Sequence, residues 1–186
     1  MINATHYVLD LETMGKGPRA AIVAIGCVEV YNGAPGGEFY QRVDLENALN
    51  YGGEADASTI QWWLRQGAEA RVEIDGSQGG ESIWNALGAL RAFMGSNAHL
   101  NEILVWGNGA TFDNVILSSA YSAAGTERPW AYWNDRDLRT LLALYPAAKQ
   151  IPFEGTKHHA LHDARHEARQ LVRALELHRA SQEAAQ

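Results

Sequence analysis

The stretch YVLDLETMGK, residues 7–16, is the part of the chain around which the other segments are organised. Residues 7–11 are apolar and rich in strand formers, so they predict a short buried strand that leads into a loop. Successive side chains of a strand point to opposite faces, and Asp10 and Glu12 therefore share one face with Val8.

These two acids have two explanations. Neighbouring carboxylates repel each other and are costly to desolvate unless a positive charge lies between them. A divalent cation, which prefers oxygen ligands, would supply that charge. Alternatively, the strand simply ends here and both carboxylates are solvated. The acids alone favour neither explanation, so the choice depends on the rest of the chain.

Chain length and net charge limit the number of domains and the functions that the chain can have. A chain of 186 residues can bury a full hydrophobic core, and we expect residues 1–186 to form a single domain with a frayed tail at about residues 180–186. The net charge of −7 argues against a protein that coats duplex nucleic acid, because such a protein needs a basic surface. An enzyme that grips a few nucleotides, and whose bound metal offsets an acidic site, remains compatible with this charge.

The apolar pattern also bears on location. The chain has no apolar run long enough to cross a membrane, and its first strand begins too early for a signal peptide to precede it. A single cysteine, Cys27, lies in an apolar strand-like run, which excludes an internal disulfide framework. We therefore expect a cytoplasmic protein that does not associate with membranes.

The order of predicted elements indicates an α/β fold. Strands are predicted at residues 7–11, 19–31 and 38–43, in an antiparallel meander with a turn at 32–37, and again at 103–106 and 129–133. Five helices are predicted. The first is short and begins with a cap at Ser58 or Thr59, and the second and third cover residues 81–94 and 111–124. The fourth runs from a cap at Asn134 or Asp135 to Leu144, and the last covers residues 159–179. Together these elements fit a central mixed five-stranded sheet flanked by helices.

A third acid lies at the start of the predicted helix 111–124. Asp113 precedes Ile116 by three residues and Leu117 by four, so helical spacing turns it toward the core. A buried carboxylate needs a partner. The helix dipole would explain why an acid lies in the first turn, but not why it faces inward.

The densest polar cluster, HHALHDARH, occupies residues 158–166. Asp163 lies off the apolar stripe of its helix and faces solvent or a cleft. His158 is five residues earlier, which is not one helical face, so the two can act together only if His158 lies in the loop or at the helix cap. The histidines also admit a zinc or di-iron site with His159, Asp163 and His166 on one face, although no other His or Cys pair fits a structural zinc pattern.

In chain order, Asp10-x-Glu12-Thr13, the helix-opening Asp113 and His158-x-Ala160-x-x-Asp163-Ala164 resemble the motifs of the DEDDh exonucleases. This DnaQ-like 3′–5′ group includes ribonuclease T and proofreading subunits, and the resemblance covers residues 7 to about 173. The segments IQWW (60–63), WGNG (106–109) with FD (112–113), and RDLR (136–139) are similar to a small stand-alone subgroup of bacterial and phage 3′–5′ exoribonucleases. The resemblance implies an RNase H-like fold, whose first three strands form an antiparallel meander.

The resemblance further implies two divalent ions, Mg²⁺ or Mn²⁺, held by Asp10, Glu12, Asp113 and Asp163. It implies His158 as the general base. Phosphodiester hydrolysis needs an activated water and charge neutralisation on the phosphate oxygens, which two metal ions supply. A histidine can accept a proton near neutral pH.

Other residues compete for these roles. His159 and His162 are alternative bases, and His158 is chosen because the family spacing selects it. Asp135 and Asp137 are alternative acids, but they fit better as the cap and first turn of their helix.

Substrate contacts are expected from a second set of residues: Thr13, Met14, Trp62, Trp63, Asn108 and Phe112. Single-stranded ends are held by aromatic stacking and backbone contacts, whereas core packing is the alternative for each aromatic side chain. Neighbours on a helix diverge by about 100°, so we expect one of Trp62 and Trp63 to be exposed. Asn108 can contact a base or phosphate, or serve only the turn.

The residues and the resemblance together imply a metal-dependent 3′–5′ exonuclease acting on single-stranded or overhanging 3′ ends, with RNA the favoured substrate and DNA the alternative. It would release nucleoside 5′-monophosphates. Two alternatives stay open: a non-catalytic nucleic-acid- or partner-binding module on the same fold, and a His-rich transition-metal enzyme built on the last helix. A homodimer is compatible with the family, but no sequence feature requires it.

Overall fold

A computed structural model describes residues 5–95 and 102–185. Its strands are β1 (Thr5–Thr13), β2 (Ile22–Tyr31), β3 (Ala34–Arg42), β4 (Ile103–Gly107) and β5 (Asp135–Asp137). They form one sheet in the order β3-β2-β1-β4-β5. The first three strands are antiparallel, and β4 and β5 run parallel to β1. This is the mixed five-stranded sheet of the RNase H-like fold, as predicted.

Helices cover both faces of the sheet. They are α1 (Leu45–Asn50), α2 (Ala57–Trp63), α3 (Ala68–Arg71), α4 (Ile83–Phe93), α5 (Asp113–Ala123), α6 (Leu138–Leu144) and α7 (Ala160–Glu183). Because side chains alternate along β1, Leu9 packs in a core with residues of α4 and α5, whereas Val8 packs in a second core with residues of α6 and α7. Among the described residues, no helix combines the length and apolar character needed to cross a lipid bilayer.

The predicted fifth strand at residues 129–133 is wrong. Residues Tyr132–Asn134 form a 3₁₀ turn, and the strand is the following segment Asp135–Asp137. The reason is a polar anchor: the Asp135 carboxylate accepts hydrogen bonds from Trp130 Nε1 at 2.7 Å and from Asn114 Nδ2 at 2.9 Å. This anchor folds the aromatic segment back toward Asp135, and the chain becomes extended only after the turn.

Two predicted helix caps are also corrected. Asp56, not Ser58 or Thr59, caps α2 by accepting from the backbone N–H of Thr59 at 2.8 Å. Asp137, not Asn134 or Asp135, caps α6 by accepting from the backbone N–H of Thr140 at 2.7 Å. In both helices the cap is an aspartate three residues before the N–H that it binds, which is the preferred N-cap geometry.

Other boundaries differ modestly from the predictions. Asn32 and Gly33 both have positive φ angles, 51° and 77°, which is the backbone of a two-residue hairpin turn, so β3 begins at Ala34. The last helix continues to Glu183, beyond the predicted end at residue 179. The short helices α1 and α3 had no clear apolar period and were not predicted. Residues 1–4, 96–101 and 186 of the predicted domain lie outside the described residues.

Candidate active site

The strand β1 carries Asp10 and Glu12 to one end of the sheet. Asp10 lies opposite Gly26 of β2, and Glu12 lies opposite Ala24. The parallel strand β4 pairs with β1 only as far as Leu9, so β4 ends where the acids of β1 begin. The open edge beyond a strand end is where α/β proteins commonly place functional groups.

Gly26 allows the start of α7 to reach this edge. A Cβ atom at this position would lie 2.1 Å from the carbonyl oxygen of Ala160 and 2.6 Å from the backbone nitrogen of Leu161. Since these neighbours are backbone atoms, a side chain could be accommodated only if α7 or β2 moved. The absence of a side chain at Gly26 therefore brings the first turn of α7 beside Asp10.

Asp113 reaches the same edge from the other core. A Cβ atom on Gly107, the last residue of β4, would lie 3.0 Å from Asp113 Oδ2, so this glycine leaves room for the acid. Asp113 Oδ1 accepts a hydrogen bond from the backbone N–H of Leu11 at 3.3 Å. The side chain is 4% exposed, which confirms its predicted inward orientation.

His158 lies just before α7 and next to two acids. Its φ angle is +61°, a left-handed conformation that is uncommon for a residue with a side chain and costs about 1–3 kcal/mol. Side-chain ligand atoms of Glu12, His158 and Asp163 all lie within 4.8 Å of one another. Asp163 Oδ2 also accepts from the backbone N–H of His159 at 3.1 Å. The predicted position of His158, before the helix and beside Asp163, is confirmed.

The two tryptophans of α2 both contact His158, although only one of them is accessible. The edge-on ring centroid distances to His158 are 4.8 Å for Trp62 and 6.3 Å for Trp63. Trp62 is 39% exposed, whereas Trp63 is buried and donates its Nε1–H to the carbonyl of Thr13 at 3.0 Å. One tryptophan is therefore exposed, as predicted. Trp63 packs in the core, fixes the end of β1 and also lines the floor of the groove described below.

A groove of about 420 Å³ begins beside Glu12. Its walls include Thr13, Trp62 and Phe112, and two cationic side chains, Lys16 and Arg65, also line it. Predicted substrate contacts at Thr13, Trp62 and Phe112 thus lie together.

The other predicted contacts lie elsewhere. The Met14 side chain is buried in the core, because the backbone of Met14 pairs with Ala21 and turns its side chain inward. Asn108 is half-buried in the turn after β4, and its carbonyl accepts from Arg139 Nη2 at 2.7 Å. The Asn108 side chain forms a hydrogen bond with the nearby Glu167 carboxylate, which favours the ionised form of that acid.

Crowding of carboxylates dominates the electrostatics of this edge. Burial raises the pKa of Asp10 well above its ordinary value, and the negative charges of Glu167 and Glu12 raise it further. Burial and the charge of Asp163 likewise raise the pKa of Glu12. Burial raises the pKa of Asp113 to about 7, although the Leu11 N–H opposes the shift. Bound positive charge would relieve this repulsion.

The donor set fits hard divalent cations. Carboxylate oxygens from β1, α5 and α7, with one imidazole beside them, match the preferences of Mg²⁺ and Mn²⁺ better than those of thiophilic metals. In the described part of the chain, the group Glu12, His158 and Asp163 is the only set of three or more potential ligands within this distance. The alternative site on α7, formed by His159, Asp163 and His166, is not found there.

The competing histidines have other partners. The His159 ring stacks on Tyr40 at 4.6 Å and on His162 at 4.0 Å. Behind it, the buried carboxylate of Glu73 accepts from the Tyr40 hydroxyl at 2.8 Å and from Arg42 Nη2 at 2.8 Å. We call Tyr40, Arg42, Glu73 and His159 the support cluster, because it fixes the residue that follows His158.

Glu167 is an acid that the sequence interpretation missed. Its side chain is 5% exposed, and it lies one helical turn after Asp163 on α7. A signal was available, because Glu167 interrupts the apolar stripe formed by Ala164, Ala168 and Leu171, where an acid is out of place.

Comparison with known proteins identifies the family of this chain. Residues 5–175 match the family described as the Rv2179c-like 3′–5′ exoribonuclease domain. The exodeoxyribonuclease of Enterobacteria phage T4 is 26% identical over 159 residues, which cover 72% of this chain and 69% of that protein.

Solved structures share the fold. The crystal structure of a full-length 3′-exonuclease superposes with a TM-score of 0.56 at 14% identity, covering 95% of this chain and 83% of that one. E. coli exonuclease I in complex with a dT13 oligonucleotide superposes with a TM-score of 0.59 at 14% identity, covering 94% of this chain but 41% of that larger one. The chain belongs to the Rv2179c-like 3′–5′ exoribonuclease domain family, and is thus a DnaQ-like 3′–5′ exonuclease.

Proposed function

We propose that this chain, as one domain spanning residues 1–186, hydrolyses the 3′-terminal phosphodiester of single-stranded or overhanging nucleic acid. Nucleoside 5′-monophosphates are the products, and RNA is the favoured substrate. The observation that carries the proposal is the convergence of Asp10, Glu12, Asp113 and Asp163, from three separate elements, at one edge of the sheet beside His158.

Two divalent ions, Mg²⁺ or Mn²⁺, would be held by Asp10, Glu12, Asp113 and Asp163. When bound, they would neutralise charge on the phosphate oxygens and lower the pKa of a coordinated water. The support for metal binding is the raised pKa of the acids, since the metal-free cluster holds too much negative charge for its burial.

His158 is proposed as the general base that takes the proton from the attacking water. Three contacts support this role. Its imidazole lies within 4.8 Å of ligand atoms of Glu12 and Asp163, and its ring is held edge-on by Trp62 and Trp63. The left-handed backbone at His158 is the kind of local strain that persists where surrounding structure fixes a functional group.

The groove beside Glu12 is proposed to hold the 3′-terminal nucleotides. Trp62 and Phe112 offer aromatic surface for a base, and Lys16 and Arg65 offer positive charge for backbone phosphates. RNA is favoured because the matched family is described as exoribonucleases. DNA remains an accepted substrate in the proposal, because the T4 relative is an exodeoxyribonuclease.

The test uses 5′-labelled single-stranded RNA and DNA of one sequence, each with Mg²⁺, Mn²⁺ or EDTA. The wild-type chain is compared with Asp10→Asn and His158→Ala, and with Glu69→Gln, an exposed acid on α3, as the matched control. We expect a ladder that shortens from the 3′ end with metal, is unchanged in Glu69→Gln, and is lost in EDTA and in both site variants. RNA should be shortened faster than DNA.

Each contrary result has a specific meaning. Cleavage that persists in EDTA would contradict metal dependence, and full activity of His158→Ala would contradict its role as base. If the protein binds labelled RNA but does not cleave it with any metal, the enzymatic proposal would be refuted in favour of a non-catalytic binding module.

A further inference from the structure

Glu167 is a buried acid whose role the four-acid site does not explain. The side chain is 5% exposed, and its Oε2 atom has no hydrogen-bond partner among the described residues. Buried carboxylates without partners are costly and rare. The ionised Oε2 atom therefore has no hydrogen-bond donor among the described residues.

The surroundings of Glu167 show which way it faces. Of the charged neighbours of Asp10, Glu167 has the strongest influence, ahead of Glu12, Asp113 and Asp163. In turn, the strongest charged neighbour of Glu167 is Asp113. Its position four residues after Asp163 places both acids on one face of α7. The carboxylate thus points into the acid cluster, not toward solvent.

Few positive or donating groups compensate for this charge. The Asn108 side chain and the Arg139 guanidinium both favour the ionised form of Glu167. Arg139 Nη2, however, donates to the Asn108 carbonyl, so its guanidinium is shared with the turn after β4. The arrangement leaves Oε2 available to a group that the protein chain does not provide.

We propose that Glu167 is a fifth acid of the metal centre: with a cation held by Asp10 and Asp113, the Oε2 atom of Glu167 would accept hydrogen bonds from water on that cation. The inference rests on the proposed metal-dependent function and extends it to a residue outside the four-acid motif. Groups that orient metal-bound water or first ligands contribute strongly to affinity, and their loss typically weakens metal binding about 10- to 100-fold.

The test measures Mn²⁺ binding to the full chain without nucleic acid, by calorimetry and by electron paramagnetic resonance of free Mn²⁺. Glu167→Gln keeps the shape of the side chain and removes its charge. Glu176→Gln is the matched control, because Glu176 lies on the same helix with its side chain 47% exposed. We expect Glu167→Gln to raise the Kd for Mn²⁺ about 10- to 100-fold and Glu176→Gln to leave it within about twofold.

A thermal melt in EDTA separates this role from a structural one. If Glu167 serves the metal centre, its neutral form should melt at or above the wild-type temperature, because repulsion among the acids falls. If Glu167 is structural, Glu167→Gln should melt lower and bind Mn²⁺ with the wild-type Kd, which would overturn the inference. Should Glu167→Gln fail to fold, Glu167→Asp gives the same decision, since its shortened carboxylate should also raise the Kd.

This experiment also distinguishes failure of the inference from failure of the proposed function. Wild-type protein that binds no Mn²⁺ would refute the metal-dependent function itself. If the wild-type protein and the folded Glu167→Gln variant bind Mn²⁺ with the same Kd, only the role of Glu167 would be refuted.

Discussion

Substitution of Gly26 by alanine tests whether the close approach of α7 to the sheet builds the active site. The added Cβ would lie 2.1 Å from the carbonyl oxygen of Ala160, whereas ordinary contact begins at 3.4 Å. The start of α7 must therefore retreat by roughly 1.3 Å, or β2 must bend by as much. His158 and Asp163 would move with the helix, while Asp10 and Glu12 would stay on β1.

The expected effects differ in size. Overpacking of this kind destabilises a protein by about 1–3 kcal/mol, and alanine recovers about 0.4–1 kcal/mol by restricting the unfolded chain. The net loss should lower Tm by only a few degrees in a chain of this length. Catalysis should suffer more, because a misplacement of about 1 Å can reduce the rate about 100-fold. The groove lies beside α2 and β1, so KM should change less than kcat.

The assay follows release of 3′-terminal nucleotides from labelled single-stranded RNA, at a temperature where the melt shows the variant to be folded. Gly88→Ala is the control, because Gly88 lies within α4 and an added Cβ would have no neighbour within 4 Å. It should keep wild-type activity and gain about 0.5–1 kcal/mol of stability. A folded Gly26→Ala variant with wild-type kcat would refute the argument that this contact positions His158 and Asp163.

Three further predictions concern the acids, the support cluster and the groove. In EDTA, the protein should become less stable as pH rises from about 4 to about 7. Burial raises the pKa of Asp113 to about 7, so the folded state keeps a proton on this carboxyl that the unfolded state releases. Thermal melts across this pH range, with and without Mg²⁺, would check the prediction, and Mg²⁺ should remove the decline. Tyr40→Phe should lower the free energy of unfolding by about 1–3 kcal/mol in urea titrations, because it removes a hydroxyl donor from the buried Glu73 carboxylate. Trp62→Ala should weaken binding of single-stranded RNA by about 1–3 kcal/mol in fluorescence anisotropy, whereas Trp84→Ala, which removes an exposed tryptophan on α4, should not.

The parts of the site that are local in sequence could be predicted. Alternation along β1 placed Asp10 and Glu12 on one face, and helical spacing turned Asp113 inward. The five-residue spacing from His158 to Asp163 required a position before the helix, and the structure has it there. Each of these inferences depends on the geometry of one element, which the sequence determines closely.

The features that were missed depend on contacts between distant segments. The fifth strand was misplaced because Asp135 is anchored by Trp130 and by Asn114, which lies 21 residues away. Which of Trp62 and Trp63 is buried depends likewise on a distant contact, because the Trp63 Nε1–H donates to the carbonyl of Thr13, 50 residues away. The periodicity of apolar residues within one segment does not predict such pairs, because they form only after the elements have packed.

The same contacts explain why the site lies where the two cores meet. Asp113 comes from α5, whose apolar side chains pack with Leu9, whereas Asp163 comes from α7, whose apolar side chains pack with Val8. Burial of these two faces brings the carboxylates together, although their charges oppose the approach. Hydrophobic packing therefore holds the acids in place before any cation arrives. A cation bound there would turn mutual repulsion into attraction and link β1, α5 and α7. The arrangement that makes the metal-free protein less stable is thus the one that prepares the proposed metal centre.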